Sequence, residues 1–277
     1  MPFFKRSDGD LVREAPLLRR VMPHVMPGRN ESAIWLQDKI EIAGTLEYLS
    51  KRQAAGGKAT LFHAVLAAFV RTLAERPELN RFVVGRRLYQ RREISLSFAV
   101  KKKFSDAAPI TTVKRIFNAR DSLSDVIRRV DESIGEGRGE GPTASEREMS
   151  AAAFFPRSVL RGVLWMQRVF DYWNLLPAAL IRNDPLYASA VVANLGSLGL
   201  PVPFHHLFEY GTASLFLAIG KIEKAPVVDG NGALVVREVL PVTFTFDDRI
   251  CDGYYCARSL ERFRELLMSP AQLDSRD

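Results

Sequence analysis

The chain has 277 residues, of which 47% are hydrophobic, and it carries 39 lysines and arginines against 32 aspartates and glutamates. This composition is typical of a globular protein with a sizeable core. No apolar run reaches the ~18 residues of a membrane-spanning helix, and the first residues lack the apolar core of a secretory signal. We therefore expect a cytoplasmic protein.

The formal net charge of +7 indicates an anionic partner such as a phosphorylated cofactor, a lipid headgroup or nucleic acid. No helix-turn-helix, zinc-finger or RNA-recognition pattern accompanies the basic residues, so nucleic acid is not expected. The two cysteines, Cys251 and Cys256, are expected to be reduced thiols. No metal site is expected, because neither a Cys-x-x-Cys pair nor a nearby histidine completes a ligand set.

Hydrophobic periodicity predicts alternating helices and strands in the first half of the chain. Thr60 is a good N-cap for a helix over residues 61–76, whose apolar residues recur at helical spacing. In chain order, we expect a strand at 34–40, helices at 45–54 and 61–76, strands at 82–84, 88–89 and 94–100, and a helix at 122–134.

Residues 135–141 alternate glycines with charged residues, which predicts a polar break. The later segment 150–182 contains many large apolar residues and two of the three tryptophans, with Arg157, Arg161 and Arg168 between them. Three interpretations remain open for this segment. It forms a buried helix or helix pair, an interfacial helix on an anionic membrane, or the wall of a hydrophobic acyl tunnel.

The remaining residues are mostly strand-like. Strands are predicted at 188–194, 212–220 and 239–246, with a hairpin at 227–236 marked by Asp-Gly and Asn-Gly turns, and a closing helix at 254–267. No internal repeat or second long linker divides the chain. We therefore expect a single α/β domain over residues 1–277, with a mixed β-sheet flanked by helices.

Short landmarks follow one another in a fixed order along the chain. Residues 19–26 read Arg-Arg-Val-Met-Pro-His-Val-Met, 76–80 read Arg-Pro-Glu-Leu-Asn, 193–196 read Ala-Asn-Leu-Gly, 218–220 read Ala-Ile-Gly, and 246–253 read Phe-Asp-Asp-Arg-Ile-Cys-Asp-Gly. Together they resemble the catalytic domain of the 2-oxoacid dehydrogenase (dihydrolipoyl) acyltransferases, within the chloramphenicol acetyltransferase-like superfamily. The resemblance covers residues 19–270, interrupted by an apparent insertion at 135–182.

The resemblance implies a two-layer sandwich that forms homotrimers, with active sites between subunits. It implies that coenzyme A or an acyl-CoA is a substrate, that a histidine takes the proton of a thiol or hydroxyl acceptor, and that a hydroxyl group stabilises the oxyanion. A lipoylated or dehydrogenase-complex partner is a further implication, although we expect no lipoyl or peripheral-subunit-binding domain in this chain. The family's structural positions correspond to Arg19, expected to pair with Asp252, and to Asn194 and Gly253.

Two positions depart from the family pattern where its chemistry lies. Asp248 occupies the position of the family's catalytic histidine, and Ala193 occupies that of the oxyanion hydroxyl. An aspartate has an ordinary pKa of about 3.9, which makes it a poor base for a thiol. Alanine has no hydrogen to donate. The departures predict either a loss of catalysis or a site rebuilt from other residues.

Residues 204–212, Phe-His-His-Leu-Phe-Glu-Tyr-Gly-Thr, are the candidate for such rebuilding. His205 or His206 would serve as the base, Glu209 would orient the imidazole, and Thr212 or Tyr210 would donate to the oxyanion. The alternative is that adjacent histidines at a turn serve packing or subunit contact. His24 and His63 are expected to be structural.

These observations leave two principal functions open. The first is a CoA-dependent acyltransferase that moves an acyl group between CoA and an unknown thiol or hydroxyl acceptor. The second is a catalytically inactive trimeric scaffold or partner-binding protein on the same fold. Contact with a membrane surface through residues 150–182 is a third expectation.

Overall fold

The computed structural model describes residues 5–101, 110–138 and 155–275. Its strands are β1 (Gly9–Leu11), β2 (Ala33–Glu41), β3 (Arg81–Val84), β4 (Arg87–Arg91), β5 (Ile94–Lys101), β6 (Ile110–Phe117), β7 (Ala190–Asn194), β8 (Leu215–Ile219), β9 (Glu223–Val228) and β10 (Leu234–Asp247). The helices are α1 (Leu17–Val25), α2 (Ala43–Ala54), α3 (Leu61–Glu75), α4 (Leu123–Arg138), α5 (Arg157–Tyr172), α6 (Ala178–Asn183) and α7 (Gly253–Met268).

The strands form two sheets. A small antiparallel sheet has the order β1-β4-β3, and a seven-stranded sheet has the order β2-β10-β8-β7-β5-β6 with β9 paired to β10. In the larger sheet the pairs β5–β7 and β7–β8 are parallel, whereas the other pairs are antiparallel. The expected mixed sheet is therefore confirmed.

The main core lies between one face of the larger sheet and helices α2, α3, α4 and α7. α3 is buried along most of its length and begins with a capping box, in which Thr60 accepts from the His63 main chain and His63 from that of Thr60. Phe69 of α3 makes edge-to-face contacts with Phe244 and Phe263, with ring centroids 6.0 and 6.1 Å apart. This aromatic cluster joins α3 and α7 to β10.

The other face of the larger sheet is covered by the chain between β7 and β8. A smaller apolar cluster forms there, in which Leu207 and Ala213 pack on Val191, Phe216 and Ala218 of the two parallel strands. The sheet thus has helices on one face and an extended connection on the other. This connection contains the histidine pair singled out in the sequence.

Several elements differ from the sequence-based expectations. Strands β1 and β6 and helix α1 were not expected, and α4 continues through the anticipated break to Arg138, so that residues 139–141 alone lie outside the described residues. β10 is one strand rather than two. Its charged residues Arg237 and Glu238 break the apolar alternation, but both pair with β9 on the edge of the sheet.

The apolar segment 150–182 forms two helices, α5 and α6, in its described part, 155–182. The expectation that such helices are largely buried is wrong for α5, since none of its residues is fully buried. Two polar contacts join it to the rest of the chain: Asp171 pairs with Arg6 at 2.7 Å, and Gln167 donates to the Tyr210 hydroxyl. Val163, Trp165 and other apolar side chains of α5 remain exposed.

None of the helices in the described ranges combines the length and apolar content that a membrane crossing requires.

We expect Phe69→Ala to lower the free energy of unfolding by about 3–5 kcal/mol, because it removes a buried ring that contacts two others and leaves a cavity. Denaturant unfolding followed by circular dichroism measures this change. Phe155→Ala is the matched control, since that ring is 56% exposed, and we expect a change within about 0.5 kcal/mol. Equal effects of the two substitutions would contradict the described core.

Candidate functional site

The turn after β10 is fixed by a buried ion pair. The Arg249 guanidinium donates to both carboxylate oxygens of Asp247, from Nε at 2.8 Å and from Nη2 at 2.7 Å. Its Nη1 donates to the carbonyl oxygens of Met26 and Pro27 at 2.9 and 3.0 Å. Arg249 and Asp247 are only 2% and 1% exposed, so the pair is shielded from water. One side chain thereby joins the turn to the segment after α1.

Asp248 lies between these two residues and is half-buried. Its main-chain N–H donates to the Ser32 carbonyl at 2.8 Å, and its carbonyl oxygen accepts from Arg19. Asp252 instead caps α7, accepting from the Tyr255 N–H at 2.8 Å. Among the described residues no hydrogen bond or ion pair joins Arg19 to Asp252. Arg19 therefore holds the Asp248 turn through a carbonyl oxygen rather than through the expected carboxylate.

Cys251 and Cys256 lie at the start of α7, with their sulfur atoms 3.3 Å apart. Both are free thiols and both are about 2% exposed. The contact with Cys256 and burial raise the pKa of the Cys251 thiol. A buried thiol with a raised pKa is a poor nucleophile, which is consistent with a packing role for Cys251.

Gly196 and Gly220, the glycines of two sequence landmarks, pack against each other where β7 and β8 end. A Cβ atom on Gly196 would lie 2.3 Å from the Gly220 carbonyl oxygen, so only glycine fits where the turn after β7 crosses the end of β8. Asn194 stabilises this turn by accepting from the Ser197 N–H at 3.2 Å. A cavity of about 230 Å³ opens here, between Asn194, Ile219 and the start of α3.

The strand pairing shows how far apart Asp248 and Ala193 lie, the positions of the family's catalytic histidine and oxyanion hydroxyl. Ala193 pairs with Ala218, and Ala218 pairs with Thr243 of β10. Asp248 lies five residues beyond Thr243 along the chain. At about 3.4 Å per residue, Asp248 and Ala193 are roughly 17 Å apart along the strand direction. They therefore lie toward opposite ends of the strands, and within one chain they cannot act on the same bond.

The histidine pair lies on the sheet face opposite the helices. The His205 ring stacks on Phe216 of β8, with centroids 3.8 Å apart, and on His206 with centroids 4.7 Å apart. Trp35 Nε1 and Thr245 Oγ1 both donate to the His205 carbonyl oxygen, at 2.9 and 2.6 Å. His205 is therefore held on the sheet through its main chain and its ring face.

The imidazole nitrogens of the pair are not equivalent. His205 Nδ1 lies 2.7 Å from the His206 carbonyl oxygen, and His206 Nδ1 lies 2.9 Å from that of Leu207. A carbonyl oxygen only accepts, so each neutral ring carries its hydrogen on Nδ1 and presents an unprotonated Nε2. Burial lowers the pKa of His205, and at neutral pH its Nε2 is available to accept a proton.

Glu209 and Thr212 have other partners in the described residues. The Glu209 carboxylate accepts from the main-chain N–H groups of Arg29 and Asn30 at 3.2 and 2.9 Å, and no hydrogen bond joins it to either imidazole. The Thr212 hydroxyl is fully buried and accepts from Arg91 at 2.8 Å. The structure thus brings His205 and His206 together but places Glu209 and Thr212 in contacts of their own.

Sequence reasoning did not anticipate a network of buried arginines beside this segment. Arg6 pairs with Asp8 at 2.8 Å and with Asp171 of α5 at 2.7 Å, while Arg91 lies 4.3 Å above the Phe82 ring. These pairs connect α5 to the small sheet. The sequence gives little indication of this network, because its residues are far apart along the chain.

Across the described ranges, no group of three or more His, Cys, Asp or Glu side chains is arranged to hold a metal ion.

Comparison with known proteins finds a matching family model and two similar curated proteins. The family model "2-oxoacid dehydrogenases acyltransferase (catalytic domain)" matches residues 181–274. The chain is 22% identical over 85% of its length to the lipoamide acyltransferase component of the branched-chain alpha-keto acid dehydrogenase complex of Bacillus subtilis. It is 26% identical over 79% of its length to the dihydrolipoyllysine-residue acetyltransferase component of the acetoin cleaving system of the same organism. The chain spans 46% and 44% of these two relatives.

Solved structures share the whole fold. The dihydrolipoamide acetyltransferase of Azotobacter vinelandii superposes with a TM-score of 0.62 at 18% identity, covering 95% of this chain and 94% of that one. The cubic core of a pyruvate dehydrogenase multienzyme complex gives 0.62 at 17%, covering 95% and 94%. A chloramphenicol acetyltransferase gives 0.57 at 13%, covering 94% and 99%.

The chain therefore has the chloramphenicol acetyltransferase-like fold, and its resemblance to the catalytic domain of 2-oxoacid dehydrogenase acyltransferases is confirmed.

We expect Asp247→Asn to destabilise the fold by about 3–5 kcal/mol, because it leaves the Arg249 guanidinium buried without its carboxylate. Thermal and denaturant unfolding measure the change. Glu261→Gln is the control, since it breaks the exposed pair with Arg258 and should change stability by less than about 1 kcal/mol. A stability of Asp247→Asn equal to that of the control would show that the turn does not depend on this pair.

Proposed function

We propose that this protein is a CoA-dependent acyltransferase whose site is assembled between two copies of the chain. The observation that carries the proposal is the separation of Asp248 and Ala193 by roughly 17 Å along the strands. The family chemistry requires groups from both ends of the strands, so a second copy must supply one of them. Homotrimers satisfy this requirement with equivalent interfaces.

Exposed apolar side chains support association of copies. On α1, Leu17, Leu18 and Val25 are 75%, 66% and 63% exposed, and on the β9–β10 hairpin Leu234 is 74% exposed. Such clusters on a globular surface are typical of protein–protein contacts. The cubic core among the structural neighbours is itself an assembly of chains with this fold. We propose a lipoylated protein or a dehydrogenase complex as the partner of this assembly.

We propose His205 as the base, with His206 as its stacked neighbour. Its Nε2 would take the proton of the acceptor thiol as the sulfur attacks the thioester carbonyl. A new carbon–sulfur bond forms, the bond to CoA breaks, and the proton passes from Nε2 to the departing CoA thiolate. Asp248 would lie at the interface beside the acyl donor, where the family has its histidine.

The roles first considered for Glu209 and Thr212 change in this proposal. Glu209 fixes the entry of the chain into β2 through two main-chain N–H groups, and Thr212 fixes Arg91. Both residues position the 204–212 segment rather than contact substrate. The two turns after β7 and β10 contain or contact the four structural positions, Arg19, Asp252, Gly253 and Asn194.

A second candidate function is a non-catalytic trimeric scaffold. The specific observation in its favour is the double departure at Asp248 and Ala193, which removes the family's base and oxyanion donor while the buried pair of Asp247 and Arg249 remains. A scaffold would require the fold and the interface but no substrate.

Calorimetric titration of the oligomer with CoA and acetyl-CoA separates the two functions. We expect micromolar dissociation constants for a transferase, in the range of ordinary enzyme substrates. The absence of a heat signal from a well-folded oligomer would overturn the transferase and favour the scaffold.

We expect the rate of acetyl transfer to dihydrolipoamide to fall at acid pH, below about 6.5, the ordinary pKa of histidine. Burial lowers the pKa of His205, so its neutral, proton-accepting form persists to a lower pH. His205→Gln should reduce kcat/KM by about 100-fold or more and abolish this limb. His24→Gln, an exposed histidine on α1, is the control. An unchanged profile in His205→Gln would exclude His205 as the base.

A further inference from the structure

A cavity of about 450 Å³ lies beside the buried ion pair, with Arg249 in its lining. Its walls come from α5, from the turn between β3 and β4, and from residues 209–211. Gly85 and Gly211 have φ angles of +56° and +79°, and a Cβ atom would lie 2.3 Å from the carbonyl oxygen of Tyr172 at the first and of Leu186 at the second. Neither position has room for a side chain, and the cavity volume is within the range of small-molecule sites.

Four arginines line this cavity: Arg29, Arg86, Arg168 and Arg249. Arg249 is neutralised by Asp247. The other three have no carboxylate within ion-pair distance among the described residues. Of the two acidic residues of the lining, Asp171 is paired with Arg6, whereas the Glu209 carboxylate accepts from neutral main-chain N–H groups and keeps its negative charge. Three unpaired guanidinium groups against this one carboxylate leave the lining with an excess of positive charge.

Arg29 is the most buried of the three arginines without a carboxylate partner, with only 6% of its surface exposed. Its guanidinium donates to three carbonyl oxygens, those of Phe208, Glu209 and Val83. Its Nε has no hydrogen-bond partner in the described residues. Burial lowers the pKa of Arg29; the charge of Asp247 opposes this shift, and that of Arg249 adds to it. A buried cation in this state is stabilised by an anion placed close to it.

Tyr187 supplies a neutral donor to the same space. The side chain lines the cavity and is 2% exposed, and among the described residues its hydroxyl has no hydrogen-bond partner. Burial raises the pKa of this hydroxyl, so it keeps its proton and can donate. A second tyrosine, Tyr210, packs edge-to-face on the Tyr187 ring at 5.9 Å and adds an aromatic wall.

We propose that this cavity binds a phosphate monoester, with the phosphate bound by Arg86 and Arg168, accepting a hydrogen bond from Tyr187, and attracted by the buried charge of Arg29. Three unpaired guanidinium groups against the one carboxylate of Glu209 match a dianion, whereas a monoanionic carboxylate ligand would leave positive charge uncompensated. The remainder of the ligand contacts Tyr172 and Tyr210. The cavity shares the 204–212 segment with the proposed base, but its lining includes neither His205 nor Asp248, so binding of the phosphate is expected without acetyl-CoA.

The test uses phenyl phosphate as the probe, with benzyl alcohol as its uncharged counterpart, titrated by calorimetry into the oligomer with and without saturating acetyl-CoA. We expect saturable binding of phenyl phosphate alone, unaffected by acetyl-CoA. Arg168→Met should weaken binding by about tenfold or more, because it removes a charge-assisted hydrogen bond. Tyr187→Phe should weaken binding by about fivefold, since a neutral hydrogen bond is weaker.

Arg161→Met is the matched control, because it removes an arginine from the same exposed helix but not from the cavity lining. We expect its affinity for phenyl phosphate to stay within about twofold of the parent value. Equal weakening by Arg161→Met and Arg168→Met would overturn the site, since it would indicate long-range attraction only. Absence of saturable binding, or mutual exclusion with acetyl-CoA, would overturn it as well.

Vesicles containing phosphatidic acid distinguish the source of the phosphate monoester. Co-sedimentation that Arg168→Met abolishes and Arg161→Met preserves would assign the cavity to a lipid headgroup. Binding of phenyl phosphate without co-sedimentation would assign it to a diffusible metabolite. Either result supports the phosphate site.

Discussion

The buried pair of Asp247 and Arg249 is the interaction on which the rest of the structure depends. Arg249 holds the carboxylate of Asp247 and the carbonyl oxygens of Met26 and Pro27 with one guanidinium. It thereby joins the end of the central strand β10 to the chain that enters the edge strand β2. Removing water from both charges is unfavourable, and several hydrogen bonds at short distance are needed to offset that cost. The Asp248 turn and the start of α7 are positioned from this pair.

The same pair links the two proposed sites. On one side it positions Asp248, where the proposed acyltransferase site would be completed by a second copy of the chain. On the other side Arg249 lines the basic cavity. The first proposed site would depend on an interface and the second lies within one chain, which is why the two can be tested separately.

Much of the fold could be predicted from the sequence because its signals are local. The Thr60 cap and the apolar spacing that follows it predicted α3, and period-two alternation predicted β5. The landmarks predicted the superfamily, and packing of Gly196 on Gly220 gives a physical reason for two of them. Strand β6 was not predicted, because Lys114 and Arg115 interrupt its apolar alternation, although both pair with β5 like the rest of the strand.

The candidate site was harder to predict, because its geometry depends on contacts between distant residues. Nine residues of sequence place His205, Glu209 and Thr212 close together, yet Glu209 contacts the chain near Arg29 and Thr212 contacts Arg91. The residue types suggested that these three side chains act together, but the course of the main chain gives Glu209 and Thr212 other hydrogen-bond partners. The basic cavity draws on residues between 27 and 249 and leaves no compact sequence motif.

The interface origin of the acyltransferase site is tested most directly with mixed oligomers. Ala193→Trp blocks one end of the strands and Asp248→Trp blocks the other, so neither variant alone should bind acetyl-CoA. After the two variants are unfolded and refolded together, we expect about a quarter of the parent binding capacity, because random pairing leaves that fraction of interfaces with both ends intact. Mixed oligomers without any recovered binding, or a single variant that binds acetyl-CoA like the parent protein, would contradict a site shared between two copies.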